Sequence, residues 1–274
     1  MQELPASSVH IHDPFWSSRL DTNASAAIYH QWTQLEKSGC IDNFRIAAGK
    51  KEGFREGWVF ADSDAYKWLD AAARIYTNTP DPGLKKLMDE LVSLLAGAQM
   101  IDGYIYTYNQ IHFPGQRWTN LQIEHEFYCL GHLIEGCIAH YQATAETGGL
   151  NIAQKAAGLL VRDFLNGPPE GTDGHQEVEI ALLRLHQLTG QMEYLDLARH
   201  FIEVRGRVTD FRTVYKAESN SYEARKYEVS RQRAIYSADH PEYSVSKIPP
   251  DNLAKVPPHS RLRRRINALS GKYN

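Results

Sequence analysis

Leu130-Gly131-His132-Leu133-Ile134-Glu135-Gly136-Cys137-Ile138-Ala139-His140-Tyr141 decides the fold class. Leu130, Leu133, Ile134, Cys137, Ile138 and Tyr141 recur at i, i+3, i+4 and i+7, the spacing that aligns side chains on one helical face. The opposite side is polar, so the stretch reads as an amphipathic helix over 122–146, ended by Gly148-Gly149. Working outward, helical periodicity covers 22–38, Asp64 to Thr79, Pro82 to Gln99, Leu150 to Leu165, and Met192 to Val204. Asp62-Ser63 offer side-chain oxygens to cap the second of these helices. Asp173, with Gln176 three residues on, opens a further helix in capping-box spacing, and Gly190 closes it. Asn78-Thr79-Pro80-Asp81-Pro82-Gly83 and Gly167-Pro168-Pro169 break the pattern, and Asp102 to Tyr108 alternates as loop or short extended chain. Strand signals are almost absent. The expected class is all-α.

The helices pair. Three successive hairpins each open with a helix of small and apolar residues: Ala71-Ala72-Ala73, Gly136-Cys137-Ile138-Ala139 and Ile180-Ala181-Leu182-Leu183. Each of these helices then reaches a Thr-containing turn. Hairpins that cannot bury their faces alone must stack, either as an open solenoid or as a closed α/α toroid. A closed toroid needs about six hairpins, and this chain supplies about three and a half, so a partial (α/α)6 toroid of about seven helices is expected.

The chain has 274 residues, of which 42% are hydrophobic and 11% aromatic, with a net charge of −3. That balance gives no reason to expect nucleic-acid or membrane binding. Charge is unevenly spread: residues 207–274 carry 14 Lys+Arg against 7 Asp+Glu, while residues 1–206 are acidic. With Pro249-Pro250, Pro257-Pro258 and the cluster Arg261, Arg263, Arg264, Arg265, the segment 207–274 reads as a divergent basic tail, poorly ordered, behind a domain of 1–206. Cys40, Cys129 and Cys137 lack metal-binding spacing and suit buried free thiols in a reducing compartment. No signal peptide is evident at the start, so the cytoplasm is the expected location.

Seven segments in register resemble glycoside hydrolase family 127, whose founding activity is β-L-arabinofuranosidase. They are Asp13 to Ser17, Asn43 to Gly49, Asp62-Ser63-Asp64 with Tyr66 to Leu69, Asp102-Gly103-Tyr104, Arg117 to Leu121, His125 to Cys129 with Gly131 to Glu135, and Gly174 to Leu182. The resemblance runs from Val9 to Gly206 and implies the amino-terminal half of an α/α catalytic toroid. It implies retaining hydrolysis by a zinc-bound cysteine thiolate with a glutamate acid, on a glycoside containing L-arabinofuranose or a related sugar. The zinc ligands of the family, including an adjacent Cys-Cys pair, have no counterparts here, so no cofactor and no catalytic residue is expected within this chain. It implies sugar contacts for His125 and His175; a pocket glutamine and a third histidine have no match. The chain alone is therefore expected to be an inactive, truncated hydrolase. The alternative is a carbohydrate-binding or protein-interaction helical module, with self-association through the open edge of the toroid. An epimerase-like toroid fits the motif set less well.

Four residues are the candidate substrate-binding set: His125, His175, Asp102 and Tyr104. His125 starts a helix opposite its apolar stripe, although a helix-terminal histidine also bonds locally. Glu177 and Glu179, at i and i+2, point apart and cannot clasp one bond as an acid–base pair. His125, Cys129 and His132 share a helix face, yet without a fourth ligand a buried thiol is favoured over a metal. Trp68 reads as core, whereas Trp58 and Trp118 suit either core or sugar stacking.

Overall fold

The computed structural model describes Leu4 and residues 6–243; the Arg261 to Arg265 cluster and both proline pairs lie outside the described residues. Eleven α-helices follow in order among the described residues, with no strand: α1 Pro14–Thr22, α2 Ile28–Lys37, α3 Cys40–Ala47, α4 Asp62–Asn78, α5 Pro82–Ala98, α6 Thr107–His112, α7 Glu126–Thr144, α8 Thr147–Phe164, α9 Glu177–Thr189, α10 Met192–Val204 and α11 Phe211–Asp239. The fold is all-α, a partial (α/α) toroid built from hairpins α4–α5, α7–α8 and α9–α10. None of the described helices is long and apolar enough to cross a membrane.

Local chemistry sets the element ends. Asp81 caps α5 by accepting from the Leu84 amide at 2.7 Å, and Pro82 supplies a pre-set φ at the first helical position. Gly190, at φ 73°, lets the chain leave α9 through the left-handed region. The first helix begins earlier than its periodicity indicates. Asp13 caps it at Phe15 and Trp16, and the helix continues through a π-helical turn at Asn23–Ala27 into α2.

Helix α7 is the hub, packing against α4, α8 and α9. Leu130, Leu133, Ile134, Cys137 and Ile138 are all 1% exposed or less. Its glycines set the approach distances: a Cβ on Gly136 would lie 2.7 Å from the Tyr66 carbonyl oxygen, and one on Gly131 2.8 Å from Glu177 Cγ. Small residues thus let α4 and α9 press close to α7, while Leu84, Met88, Leu91 and Leu95 of α5 are fully buried in the core.

Two caps expected from sequence are used elsewhere. Asp62 lies inside the first turn of α4 and reaches across to the start of α6, accepting from the Thr107 amide at 2.6 Å and its hydroxyl at 2.5 Å. Asp173 does not cap α9, whose N-cap position is Gln176 with no side-chain bond. It accepts instead from the Phe127 and Tyr128 amides at the start of α7, at 3.0 and 3.3 Å. Both carboxylates are almost fully buried. A loop carboxylate can cap any free helical N–H within reach, and here the neighbouring helix is nearer than the following one.

The expected disorder from residue 207 does not hold for residues 211–239, which form α11, and the boundary at Gly206 is a turn within the described unit. This helix escaped the periodicity reading because its apolar face is thin, with Tyr222 and Val229 packed against the core; Arg225 is its one buried residue. Charged and polar side chains fasten it. Arg225 pairs with buried Glu124 and donates to the Gln116 carbonyl at 3.2 Å, with its guanidinium 4.2 Å from the Phe113 ring centre. Glu218 accepts from the Gln122 amide at 2.7 Å, Arg233 pairs with Glu56 at 2.9 Å, and Gln232 meets His112 at 2.9 Å.

Removing one partner of a buried pair strands the other charge. Arg225→Ala should cost about 3–5 kcal/mol in urea unfolding. The double variant Glu124→Gln/Arg225→Met should recover most of that loss, and a single variant as stable as the parent would contradict the role given to the pair.

Candidate functional site

The segment from Leu121 to His125 and the segment from Thr172 to His175 lie against each other ahead of α7 and α9. Gly174 permits the contact, since a Cβ there would fall 2.6 Å from the Gln122 carbonyl oxygen. Gln122 Nε2 donates to the Thr172 carbonyl, and the Gly174 amide donates to Leu121 O at 3.4 Å. His125 then enters α7 with φ 65° and ψ 29°, a left-handed conformation uncommon for a residue with a Cβ. Such backbone costs on the order of 1–3 kcal/mol and tends to mark places where function fixes the geometry.

That conformation brings two sequence-indicated residues together. The His125 and His175 ring centres are 4.4 Å apart and tilted by 39°. His125 Nδ1 lies 2.6 Å from the Ile123 carbonyl oxygen, which assigns the proton to Nδ1 and leaves Nε2 as the free ring nitrogen. His175 Nδ1 lies 3.5 Å from Asp173 Oδ1, which also accepts the His175 amide at 2.8 Å. Asp173 therefore holds one histidine through Oδ1, and through Oδ2 the helix turn that follows the other.

The surroundings are aromatic and basic. Phe60 lies 5.2 Å from the His125 ring, and partly exposed Trp58 stacks parallel to Phe60. Tyr128 faces His125, His175 and His132 at 5.6, 5.1 and 4.5 Å. Lys67, on α4, donates to the Tyr128 hydroxyl at 2.5 Å. An aromatic wall beside imidazole nitrogens and an ammonium group suits a small polyhydroxylated ligand, with ring faces for C–H surfaces and N–H groups for hydroxyls.

The two imidazoles titrate in opposite directions. Burial, then the neighbouring His175, hold His125 below the ordinary histidine value. The hydrogen bond to Asp173 raises His175 despite partial burial. The pair thus offers one neutral ring and one that readily takes a proton.

The other two candidates are placed differently. Tyr104 is 3% exposed, and its hydroxyl donates to buried Glu126 at 2.6 Å, so it braces the residue after His125 from within the core and presents nothing to a ligand. Asp102 pairs with Arg117 at 2.7 Å. Gly103 between them is pressed against α8, where any Cβ would fall 2.2 Å from the Lys155 carbonyl oxygen. Glu177 and Glu179 diverge as their spacing requires: Glu179 pairs with Arg205 at 2.5 Å, while Glu177 turns toward His132. Trp68 is core, donating to the Ile28 carbonyl, and Trp118 packs edge-on to Tyr104, Phe127 and Phe164. Lys67, Phe60 and Tyr128 were not singled out from sequence. Only Tyr128, one helical turn after His125, carried a positional signal for this cluster.

The thiols do not fit the zinc–thiolate centre that the family resemblance implies. Cys40 donates to the Ala61 carbonyl and Cys129 approaches that of Phe60; with Cys137 all three are 4% exposed or less, and burial pushes each thiol upward. Among the described residues no thiol joins two other ligating side chains.

Comparison with known proteins agrees with this architecture. The family model described as β-L-arabinofuranosidase, GH127 catalytic domain, matches residues 8–241, beyond Gly206 and through α11. The chain is similar to a non-reducing end β-L-arabinofuranosidase of Bifidobacterium longum subsp. longum, with 37% identity over 231 residues, covering 74% of this chain and 35% of the relative. Among solved structures it is similar to a family 127 β-L-arabinofuranosidase from Geobacillus stearothermophilus T6, with TM-score 0.72, 41% identity, and coverage of 78% and 35% of the two chains. A second family 127 β-arabinofuranosidase gives 0.68 and 36%, over 75% and 34%. The chain spans about a third of the length of these relatives.

Asp173→Asn should lower the His175 titration midpoint while leaving His125 the more acidic of the two rings, read from their imidazole NMR signals. The stabilising share of His175 is complete below its unfolded value of 6.5 and is lost as pH rises through its folded value. For His125, held low, the sign reverses: its share is complete above 6.5 and is lost as pH falls through the folded value. An unchanged His175 midpoint in the variant would remove Asp173 as the cause.

Proposed function

Because this chain belongs to the β-L-arabinofuranosidase family 127 catalytic domains, we propose that it forms part of the sugar subsite of a glycoside hydrolase acting on β-L-arabinofuranosides. The observation that carries this reading is the imidazole pair at 4.4 Å, each ring fixed through its Nδ1 side. In this reading the neutral His125 accepts from a sugar hydroxyl at Nε2, and the more basic His175 donates to another. Phe60 and Tyr128 supply the apolar walls, and Lys67 orients the Tyr128 hydroxyl.

These 274 residues alone do not hydrolyse the glycosidic bond. Attack on an anomeric carbon by sulfur requires a thiolate that can reach it, and all three thiols are buried and pushed toward the neutral form. Positioning groups cannot replace a nucleophile and an acid. This chain therefore binds the sugar, and cleavage needs groups supplied from outside it. Free buried thiols also suit a reducing compartment such as the cytoplasm. Ile180, Met192 and Ile202 on α9 and α10 are exposed, and we propose that two copies associate through the open edge of the helical array, where such apolar side chains favour contact.

The purified chain should shift the imidazole signals of His125 and His175 on titration with L-arabinose. It should release no p-nitrophenol from p-nitrophenyl β-L-arabinofuranoside above the uncatalysed rate. His125→Ala and His175→Ala should each weaken sugar binding several-fold, as expected for about 0.5–1.5 kcal/mol per hydrogen bond. Unperturbed imidazoles at saturating sugar would defeat the binding reading, and appreciable p-nitrophenol release would defeat the inactivity reading.

A further inference from the structure

One turn beyond Tyr128, α7 turns His132 and Glu135 toward Glu177 in the first turn of α9. His132 Nδ1 lies 3.1 Å from Glu177 Oε1. One ligating atom each from His132, Glu135 and Glu177 falls within 4.8 Å of the others. We propose that His132, Glu135 and Glu177 form a divalent-cation site between α7 and α9, with ligand chemistry matched to zinc.

Four features support it. First, the donor set of one imidazole and two carboxylates leaves room for water as a fourth ligand, a common arrangement for zinc. Tetrahedral zinc with bonds near 2.1 Å holds its ligand atoms ~3.4 Å apart, close to the separation of His132 from Glu177. Second, Glu177 Oε1 is buried and has no hydrogen-bond partner, since the short approach of His132 is not aligned for a bond. A buried carboxylate oxygen left in that state is costly, and a cation would satisfy it. Third, the placement is built by packing. Gly131 allows α9 to approach so closely that a Cβ there would fall 3.0 Å from the Glu177 carbonyl carbon and the Val178 amide. Fourth, outer contacts are in place: Arg184 pairs with Glu135 at 2.8 Å and fixes its carboxylate.

The side chains are 17%, 19% and 17% exposed for His132, Glu135 and Glu177, which leaves a path for an ion. A second cluster, Asp89, His140 and Glu146, meets the same distance criterion. There the Lys85 ammonium already bridges the two carboxylates at 2.6 and 2.8 Å, so the cationic position is taken.

Zinc chloride titrated into the whole chain at neutral pH, followed by calorimetry, tests the site. One zinc per chain is expected, with a rise in melting temperature as zinc saturates. Glu177→Gln and His132→Gln should each weaken binding by more than about tenfold, whereas Asp89→Asn should leave it unchanged. His132→Gln decides the matter if Glu177→Gln fails to fold. Absence of zinc binding by the parent chain would overturn the proposal. So would parental affinity in both site variants, or loss of binding in Asp89→Asn alone.

Discussion

The Asp173 carboxylate ties together the two segments that precede α7 and α9. Its Oδ2 satisfies amides at the start of α7, and its Oδ1 holds the His175 amide and lies against the His175 ring. Arg205 in turn donates to the carbonyls of Asp173 and His175, at 2.6 and 3.3 Å, and pairs with Glu179. A buried carboxylate satisfied by several N–H donors is held far more firmly than any one surface pair. The register between α7 and α9 depends on it, and with that register the approach of His125 to His175.

Asp173 is one of several acidic side chains buried around the helix starts. Asp62 joins α4 to α6, Glu126 holds the Tyr104 hydroxyl and the Trp118 amide, and Glu124 meets Arg225. Burial raises Glu126 to about 7 even with these donors. Helical hairpins stacked side by side leave many amide groups pointing at one end of the array. Acidic side chains brought from other segments satisfy them, and in doing so they connect hairpins that share little chain-local contact.

The sequence displayed the hairpins well because their periodicity comes from apolar residues that must be buried, as with Leu130 to Ile138 in α7 or Leu84 to Leu95 in α5. His125 and His175 could be named because they sit in recognisable segments at helix starts. Three things were hidden. The caps at Asp62 and Asp173 act on helices distant in sequence, and no local spacing rule reports that. Tyr104 resembles a pocket residue when read as loop, since its burial depends on α8 closing over Gly103. Helix α11 has almost no apolar pattern, and its positive charge made it look like a solvated tail. The charge that suggested disorder is what fastens it.

Because Glu124 is buried and the Phe113 and Phe54 rings lie under Arg225 and Arg233, the departure of α11 would strand a charge and bare apolar surface. Any other stretch of polypeptide that came to occupy that edge of the molecule would have to bring a matching cation with it.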